Sequence, residues 1–245
     1  MNYEGFLYDV KENVLVITMN RPEVRNAWNR KMHEEYLQIL HRANQDDSIR
    51  AVILTGTPPA FSSGTDLKSF SEGASTFEAS LNQGGAGQQL TLMHEFKKPL
   101  IAAINGAAVG MGITITLMCD IRLASESAKM CFRFTHLGVV PEFASPYMLP
   151  RIIGLGRAME LCLTARTFDA QEALNMGLVT QVLPDDQLMP TALELARNLA
   201  SKKEHAISMT REMLYRHQDT DFYAAVRHDG VDFMEAVKKS FGHYK

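Results

Sequence analysis

The stretch Lys98–Gly112, KPLIAAINGAAVGMG, decides the fold, because its apolar character suits either a membrane span or two buried elements. The uncharged run Pro99–Cys119 that contains it is long enough to cross a bilayer. A turn signal, Asn105-Gly106, interrupts the run, and Gly110 and Gly112 follow it. The pattern therefore predicts a buried strand, PLIAAI, then a glycine-rich turn, and then a buried helix that reaches Cys119.

Patterns on both sides of this stretch predict alternating strands and helices. The β-branched runs Val14–Met19, VLVITM, and Ala51–Thr55, AVILT, are typical of buried strands. Apolar residues recur at helical spacing between them, at Met32, Tyr36, Leu37, Leu40 and Ala43. Further strands are predicted at Asp120–Ala124, Lys129–Phe134 and Val179–Leu183. This order of elements with short links indicates the α/β class.

The later chain differs in composition from the first part. Ser71–Gly87 is rich in Gly, Ser, Ala and Gln and predicts a loop with one short helix. After Arg157 the pattern is mainly helical, and from about Gln187 it is helical throughout. We therefore expect an α/β core over residues 1–186 and a helical region over residues 187–245.

Composition excludes several function classes. The 245 residues are 46% hydrophobic and 22% charged, and 25 basic against 28 acidic residues give a net charge of −3. A chain this apolar can bury enough surface to fold, so intrinsic disorder is not expected. Without a basic excess, we expect neither a nucleic-acid partner nor an anionic membrane partner.

The spacing of the cysteines and histidines predicts neither disulfide bonds nor a metal site in this chain. Cys119, Cys131 and Cys162 are odd in number and widely spaced, so we expect reduced thiols. The eight histidines lack an i,i+4 pair beside a carboxylate, so no metal site is expected. The N-terminal MNYEGFLYDV lacks a basic run before an apolar block, and FGHYK carries no peroxisomal or prenyl signal. A cytoplasmic location is the expectation.

Two glycine-containing segments follow predicted strands. Pro58–Leu67, PPAFSSGTDL, offers backbone N–H groups that can bind an anionic oxygen. Its alternative role is an Asx-turn that leads into a helix capped by Thr65 or Asp66. Asn105–Gly112 precedes a predicted helix, whose first N–H groups can also face an oxyanion. Close packing of that helix on the strand explains the same glycines, and GxGxxG is absent.

A third segment, His136–Tyr147, HLGVVPEFASPY, places Glu142 among apolar residues. Desolvation there would raise the pKa of the carboxyl group toward that of a useful general base. The alternative is a solvent-facing glutamate in the first turn of a helix. We expect the neighbouring Arg133 and His136 to be structural hydrogen-bonding groups.

Together these segments resemble the crotonase family, also called the enoyl-CoA hydratase/isomerase superfamily, over nearly the whole chain. The motifs are Asn20-Arg21-Pro22 with Asn26-Ala27, AFSSGTDL, KPLIAAINGAAVGMG, CDIRLAS, LGVVPE, and the stretch from Leu149-Pro150-Arg151 through Gly177-Leu178-Val179. The resemblance implies a spiral of ββα units and a site for acyl-CoA thioesters, with no cofactor because coenzyme A is part of the substrate. It also implies that the C-terminal helices build a homotrimer or a dimer of trimers.

The resemblance also implies roles for individual residues. The backbone N–H groups of Thr65 and Met111 would hold the thioester oxygen as it becomes an enolate, although hydratases commonly have glycine where Met111 stands. The CoA part is expected along the Ser62–Lys68 turn, and Lys68 and Arg25 are candidate partners of its phosphates only because they are near this turn in the sequence. The remaining expected substrate-binding residues are Ala27, Ser62, Ser63, Gly64, Asp66 and Gly110.

Departures from the hydratase pattern indicate the subtype. Hydratases usually carry two catalytic glutamates, at positions where this chain has Thr114 and Phe134. Neither side chain can serve as the general acid or base that adds water. Glu142 in LGVVPE resembles the base of the Δ3,Δ2-enoyl-CoA isomerase branch, so isomerisation is expected. The alternatives are another crotonase reaction, namely hydration, thioester hydrolysis or decarboxylation, or a non-catalytic acyl-CoA-binding protein.

Overall fold

Two β-sheets carry the fold within residues 3–68 and 86–242, the part of the chain that the computed structural model describes. The strands are β1 (Phe6–Lys11), β2 (Val14–Met19), β3 (Ala51–Gly56), β4 (Ala60–Ser62), β5 (Leu100–Ile104), β6 (Ala107–Val109), β7 (Ile121–Ser125), β8 (Lys129–Cys131), β9 (Phe168–Asp169) and β10 (Gln181–Leu183). The larger sheet has the order β1-β2-β3-β5-β7-β10 and the smaller sheet the order β4-β6-β8-β9. The predicted α/β class is confirmed.

Helices cover the sheets and form the C-terminal part of the chain. They are α1 (Arg30–Gln45), α2 (Ala86–His94), α3 (Met111–Thr114), α4 (Ser145–Ile153), α5 (Leu155–Thr164), α6 (Ala170–Met176), α7 (Leu188–Ala200), α8 (Glu204–Arg216) and α9 (Phe222–Phe241). The side chain of Asn29 caps α1 by accepting a hydrogen bond from Met32 N. The apolar positions predicted for this helix are buried, except Leu37, which is half-buried.

The strand β3 is covered on both faces, which explains why its sequence AVILT does not alternate apolar with polar residues. Val52 and Leu54 belong to the core that contains α1, whereas Ala51 and Ile53 pack in a second core with Leu188 of α7. The strand pairs in parallel with β2 and β5. A parallel strand covered on both faces has no solvent side and therefore needs apolar residues throughout.

Consecutive strands alternate between the two sheets. β3, β5 and β7 lie in the larger sheet, and the strand that follows each of them, β4, β6 or β8, lies in the smaller sheet. β4 pairs in parallel with β6, and β6 pairs in parallel with β8. The segments after these three strands therefore leave the same edge of the smaller sheet, where ligand sites of parallel sheets commonly form.

The structure corrects several predicted boundaries. The turn expected after PLIAAI contains a strand, β6, because its backbone pairs with β4 and β8. The helix expected to reach Cys119 is one α-helical turn, α3, followed by a 3-10 helix over Ile115–Met118. The strands predicted at Asp120–Ala124, Lys129–Phe134 and Val179–Leu183 are β7, β8 and β10, and the last two are each only three residues long.

Parts of the sequence-based organisation remain predictions. Most of the loop expected at Ser71–Gly87 lies outside the described residues, although α2 begins at Ala86. Helices dominate after Gln187, as expected. The boundary at residue 186 stays a prediction, and Leu188, Ala192 and Ala196 of α7 pack on the larger sheet. Among the described residues, no helix has both the length and the hydropathy needed to cross a membrane.

Candidate active site

A cleft of about 860 Å³ opens at the edge of the smaller sheet where β4, β6 and β8 end. Its polar lining includes Ser63, Thr65, Arg133 and Glu142. The apolar residues of its wall are Val24, Ala27, Leu67, Leu90, Val109, Met111, Phe134, Leu137, Val139, Val140 and Phe143. A mainly apolar cleft with a few polar groups is the usual form of a small-molecule site.

The Asn20–Ala27 motif holds the turn that follows β4. The buried Asn26 side chain donates hydrogen bonds to the carbonyls of Thr57 and Ala60, and the backbone carbonyl of Asn26 accepts from Ser62 Oγ at 2.9 Å. Ser63 N donates to Arg25 O at 2.9 Å. These contacts explain why Ser62 lies buried behind the cleft and Ser63 at its wall.

The two glycine turns are in direct contact. A Cβ on Gly64, whose φ is +93°, would lie 2.5 Å from Val109 O and 3.3 Å from Met111 N. A Cβ on Gly112 would lie 2.3 Å from Ser62 O. Only glycine permits this approach at either position, so close packing explains Gly112, whereas the Cβ position of Gly110 has nothing within 4 Å.

The contact between the two glycine turns brings two backbone N–H donors, those of Thr65 and Met111, to the cleft. Thr65 N and Met111 N donate to no backbone or side-chain acceptor within the described parts of the chain. Thr65 flanks Gly64, whose Cβ position is 3.3 Å from Met111 N. Both residues line the cleft. Two adjacent unpaired N–H groups are suited to bind one anionic oxygen.

The Asx-turn of the other interpretation is also present, while the helix expected after it extends outside the described residues. Asp66 Oδ1 accepts a hydrogen bond from Lys68 N at 3.2 Å, as in an Asx-turn. The second carboxylate oxygen of Asp66 lies 3.5 Å from the guanidinium of Arg21. Asp66 is therefore a structural group of the turn as well as part of the cleft wall.

Glu142 lies between the cleft and the start of α4. Burial raises its pKa to about 7, and a hydrogen bond from Thr114 Oγ1 to Oε1, 3.0 Å long, lowers the pKa by a smaller amount. Its backbone carbonyl accepts from the N–H and the hydroxyl of Ser145. The carboxyl group is therefore fixed in position and half-ionised near neutral pH.

The backbone after Glu142 is strained. Phe143 and Ala144 have φ values of +55° and +54°, in the left-handed region that non-glycine residues avoid. The strain bends the chain into α4, and the buried Phe143 ring lies at the cleft wall. Such strain costs on the order of 1–3 kcal/mol per residue and clusters at functional sites.

The structure brings most of the predicted site residues to this one cleft. Thr65, Met111 and Glu142 line it, and so do Ala27, Ser63, Gly64, Asp66, Lys68 and Gly110. Ser62 lies behind the wall, and the exposed Arg25 lies outside the lining. Arg133 and His136 contact each other at 3.3 Å, as expected of hydrogen-bonding neighbours.

Sequence patterns missed two features of the cleft. Thr114 occupies a position where hydratases usually carry a glutamate, and no sequence pattern indicates that its hydroxyl donates a hydrogen bond to Glu142. His33 also lines the cleft, and no motif includes it. Among residues 3–68 and 86–242, no cluster of three or more His, Cys, Asp or Glu side chains is arranged to hold a metal ion.

Comparisons with known proteins agree with this architecture. The family model described as "Enoyl-CoA hydratase/isomerase" matches residues 9–240. An enoyl-CoA hydratase of Alternaria alternata is 37% identical, over 93% of this chain and 80% of its own length. The 1,2-epoxyphenylacetyl-CoA isomerase of Escherichia coli is 33% identical, over 86% of this chain and 82% of its own length.

A solved structure of an enoyl-CoA hydratase has a closely similar fold. The crystal structure of an enoyl-CoA hydratase from Bacillus anthracis superposes with a TM-score of 0.90, covering 94% of this chain and 90% of that chain at 31% identity. The family match alone spans β2 to β10, both glycine turns and Glu142. The protein belongs to the enoyl-CoA hydratase/isomerase family and is an enzyme of the crotonase superfamily.

Proposed function

We propose that the protein is a Δ3,Δ2-enoyl-CoA isomerase, which moves a double bond of an acyl-CoA from the 3,4 to the 2,3 position. One observation carries the proposal: Glu142 is a buried carboxyl group with a pKa of about 7, and Thr114 stands beside it in place of a second carboxylate. A base with a pKa near the working pH transfers protons efficiently in both directions.

Glu142 is the group that moves the proton in this scheme. Its carboxylate takes the proton from C2, the electron pair passes to the thioester carbonyl, and a dienolate forms. The protonated Glu142 then returns the proton at C4 as the C2=C3 bond forms. Atoms and charge balance without a co-reactant, so one carboxyl group suffices.

The N–H groups of Thr65 and Met111 stabilise the negative oxygen of the dienolate. Both are unpaired among the described residues, and the packing of Gly64 against Val109 and Met111 fixes them close together. Donors fixed in advance need no reorganisation when charge develops on the oxygen. The CoA moiety would lie along Ser63–Lys68, with Lys68 and Arg25 near its phosphates, while the buried Ser62 would support this turn from behind.

Hydration is the second candidate, because the relative from Alternaria alternata is named an enoyl-CoA hydratase. Water addition requires a group that holds and activates water in addition to the group that protonates carbon. Phe134, at one of the two hydratase positions, is a buried apolar side chain of the cleft. The second carboxylate in the described cleft wall, Asp66, is already held by Arg21.

The deciding experiment supplies 3-enoyl-CoA and 2-enoyl-CoA substrates of several chain lengths to the purified enzyme. Isomerisation leaves the product mass unchanged, whereas hydration adds the mass of water. We expect 3-enoyl-CoA to be converted faster than 2-enoyl-CoA is hydrated. Faster hydration of 2-enoyl-CoA would assign the protein to the hydratases, and hydrolysis or decarboxylation would appear as a loss of mass.

A further inference from the structure

His33 brings an imidazole ring into the wall of the cleft that contains Glu142. It belongs to the first turns of α1, and its ring centroid lies 5.2 Å from that of the buried Trp28. Most of the surrounding wall is apolar, so a polar ring needs a specific explanation.

Hydrogen bonds to Gln89 fix which ring nitrogen carries the proton. Gln89 of α2 is fully buried, and its Nε2 donates to the backbone carbonyl of His33 at 2.6 Å. A carbonyl can only accept, so the Gln89 oxygen must point the other way, toward His33 Nδ1 at 3.2 Å. That oxygen also only accepts, and Nδ1 must therefore carry a hydrogen.

The other nitrogen is then an acceptor that faces the cleft. Burial lowers the pKa of His33, so the ring is neutral at pH 7 and Nε2 has a free lone pair. Nε2 has no hydrogen-bond partner among the described residues, and it is not one of their buried unpaired atoms. Its lone pair is therefore unused by the described residues, on a side chain that lines the cleft.

We propose that His33 Nε2 accepts a hydrogen bond from a hydroxyl group on the acyl chain, which makes hydroxylated acyl-CoA thioesters the preferred substrate class. The proposal rests on the proposed function for the assignment of this cleft as the acyl site. A hydroxyl supplies the donor without a charge, whereas an ammonium group would be costly to bury in an apolar wall. A site that hydrogen-bonds a substrate hydroxyl discriminates against the analogue that lacks it.

Binding of saturated ligands tests the preference without requiring any turnover. The probes are octanoyl-CoA and four derivatives that each carry one hydroxyl, at carbon 5, 6, 7 or 8 of the acyl chain, and their affinities are measured by titration calorimetry. We expect at least one hydroxy isomer to bind about tenfold more tightly than octanoyl-CoA, as one neutral hydrogen bond allows. His33→Phe should bring this ratio to one or below, and His41→Phe, an exposed position on the same helix, should preserve it.

A second variant tests Gln89 as the positioning residue. Nitrogen-15 NMR should find the Nδ1–H tautomer of His33 in the native protein and the Nε2–H tautomer in Gln89→Met. The hydroxyl preference should fall in the same variant and persist in Gln88→Met, because Gln88 is exposed on the same helix.

Three results would overturn the inference. They are equal affinity of the native protein for all five probes, a hydroxyl preference that survives His33→Phe, and an Nε2–H tautomer in the native protein. Loss of affinity for all probes by the same factor in His33→Phe would mean that His33 contacts the CoA part, which also contradicts the proposal. The isomerase assignment is judged separately by turnover of 3-enoyl-CoA, so either idea can fail alone.

Discussion

Two opposing effects, burial and one hydrogen bond, set the pKa of Glu142. Burial beside the mainly apolar cleft wall destabilises the ionised form, while the hydrogen bond from the Thr114 hydroxyl stabilises it. The balance leaves the pKa near 7. A carboxyl group in this state can both take a proton and give one up during a single turnover.

Replacement of the carboxyl group tests its role directly. Glu142→Gln keeps the shape of the side chain but cannot exchange a proton, so we expect turnover of 3-enoyl-CoA to fall by roughly 10² to 10⁴. Calorimetric affinity for a saturated acyl-CoA should change little. Glu126→Gln, at an exposed glutamate, is the control and should keep native turnover. Near-native turnover in Glu142→Gln would remove this residue from the mechanism.

The raised pKa of Glu142 also makes stability depend on pH. Between its ordinary pKa and about 7, the folded protein holds a proton at Glu142 that the unfolded chain has lost, so stability falls as pH rises. From pH 5 to pH 8 this costs about 2 to 3 kcal/mol of unfolding free energy. Urea unfolding should show that Glu142→Gln gains this amount relative to the native protein at pH 8. An equal difference at both pH values would contradict the raised pKa.

The sequence predicts the role of a residue only when the neighbours that determine this role are close to it in the chain. Glu142 was identifiable because its apolar neighbours are adjacent in the chain. Thr114 and Glu142 are 28 residues apart, and only the fold reveals their hydrogen bond. His33 and Gln89 are 56 residues apart, so the tautomer of His33 follows from packing that no local pattern encodes.

At the scale of elements, the two glycine turns act as one unit. The smaller sheet brings the ends of β4 and β6 side by side, and the missing side chains of Gly64 and Gly112 allow the backbones to touch. The strand β6 was missed because a three-residue strand between Gly106 and Gly110 lacks any periodicity. Its partners β4 and β8 are themselves only three residues long.

The same substitution at two glycines should have opposite effects. Gly112→Ala pushes a Cβ to 2.3 Å from Ser62 O, so we expect a loss of a few kcal/mol of stability and separation of the two turns. Gly156 lies on α5, and a Cβ added there would have no atom within 4 Å. Gly156→Ala should therefore stabilise the folded protein by about 0.5–1 kcal/mol. Urea unfolding measures both changes. Equal effects of the two substitutions would contradict the close contact.

At the scale of the whole molecule, the last helix exposes large apolar side chains. No residue of α9 is buried, and Phe222, Tyr223, Phe233 and Phe241 are each at least 67% exposed. Large exposed apolar patches mark interaction surfaces. The sequence predicted the helices but could not show which apolar positions remain uncovered, because their helical spacing also suits an ordinary core.

We expect these helices to join copies of the chain into a trimer or a dimer of trimers. Light scattering at micromolar concentration should give about three or six times the chain mass of 27.4 kDa. The apolar side chains would then be buried between subunits, at a gain of roughly 25 cal/mol per Å². A mass near 27 kDa would rule the assembly out.

The position of Glu142 on one side of the cleft has a stereochemical consequence. If the same carboxyl group removes the proton from C2 and delivers it to C4, both events occur on one face of the extended acyl chain. The allylic shift is then suprafacial, and a deuterium placed on that face of C2 should appear partly at C4 of the product by NMR. Complete exchange of the label with water would mean that Glu142 releases its proton before the chain is protonated again.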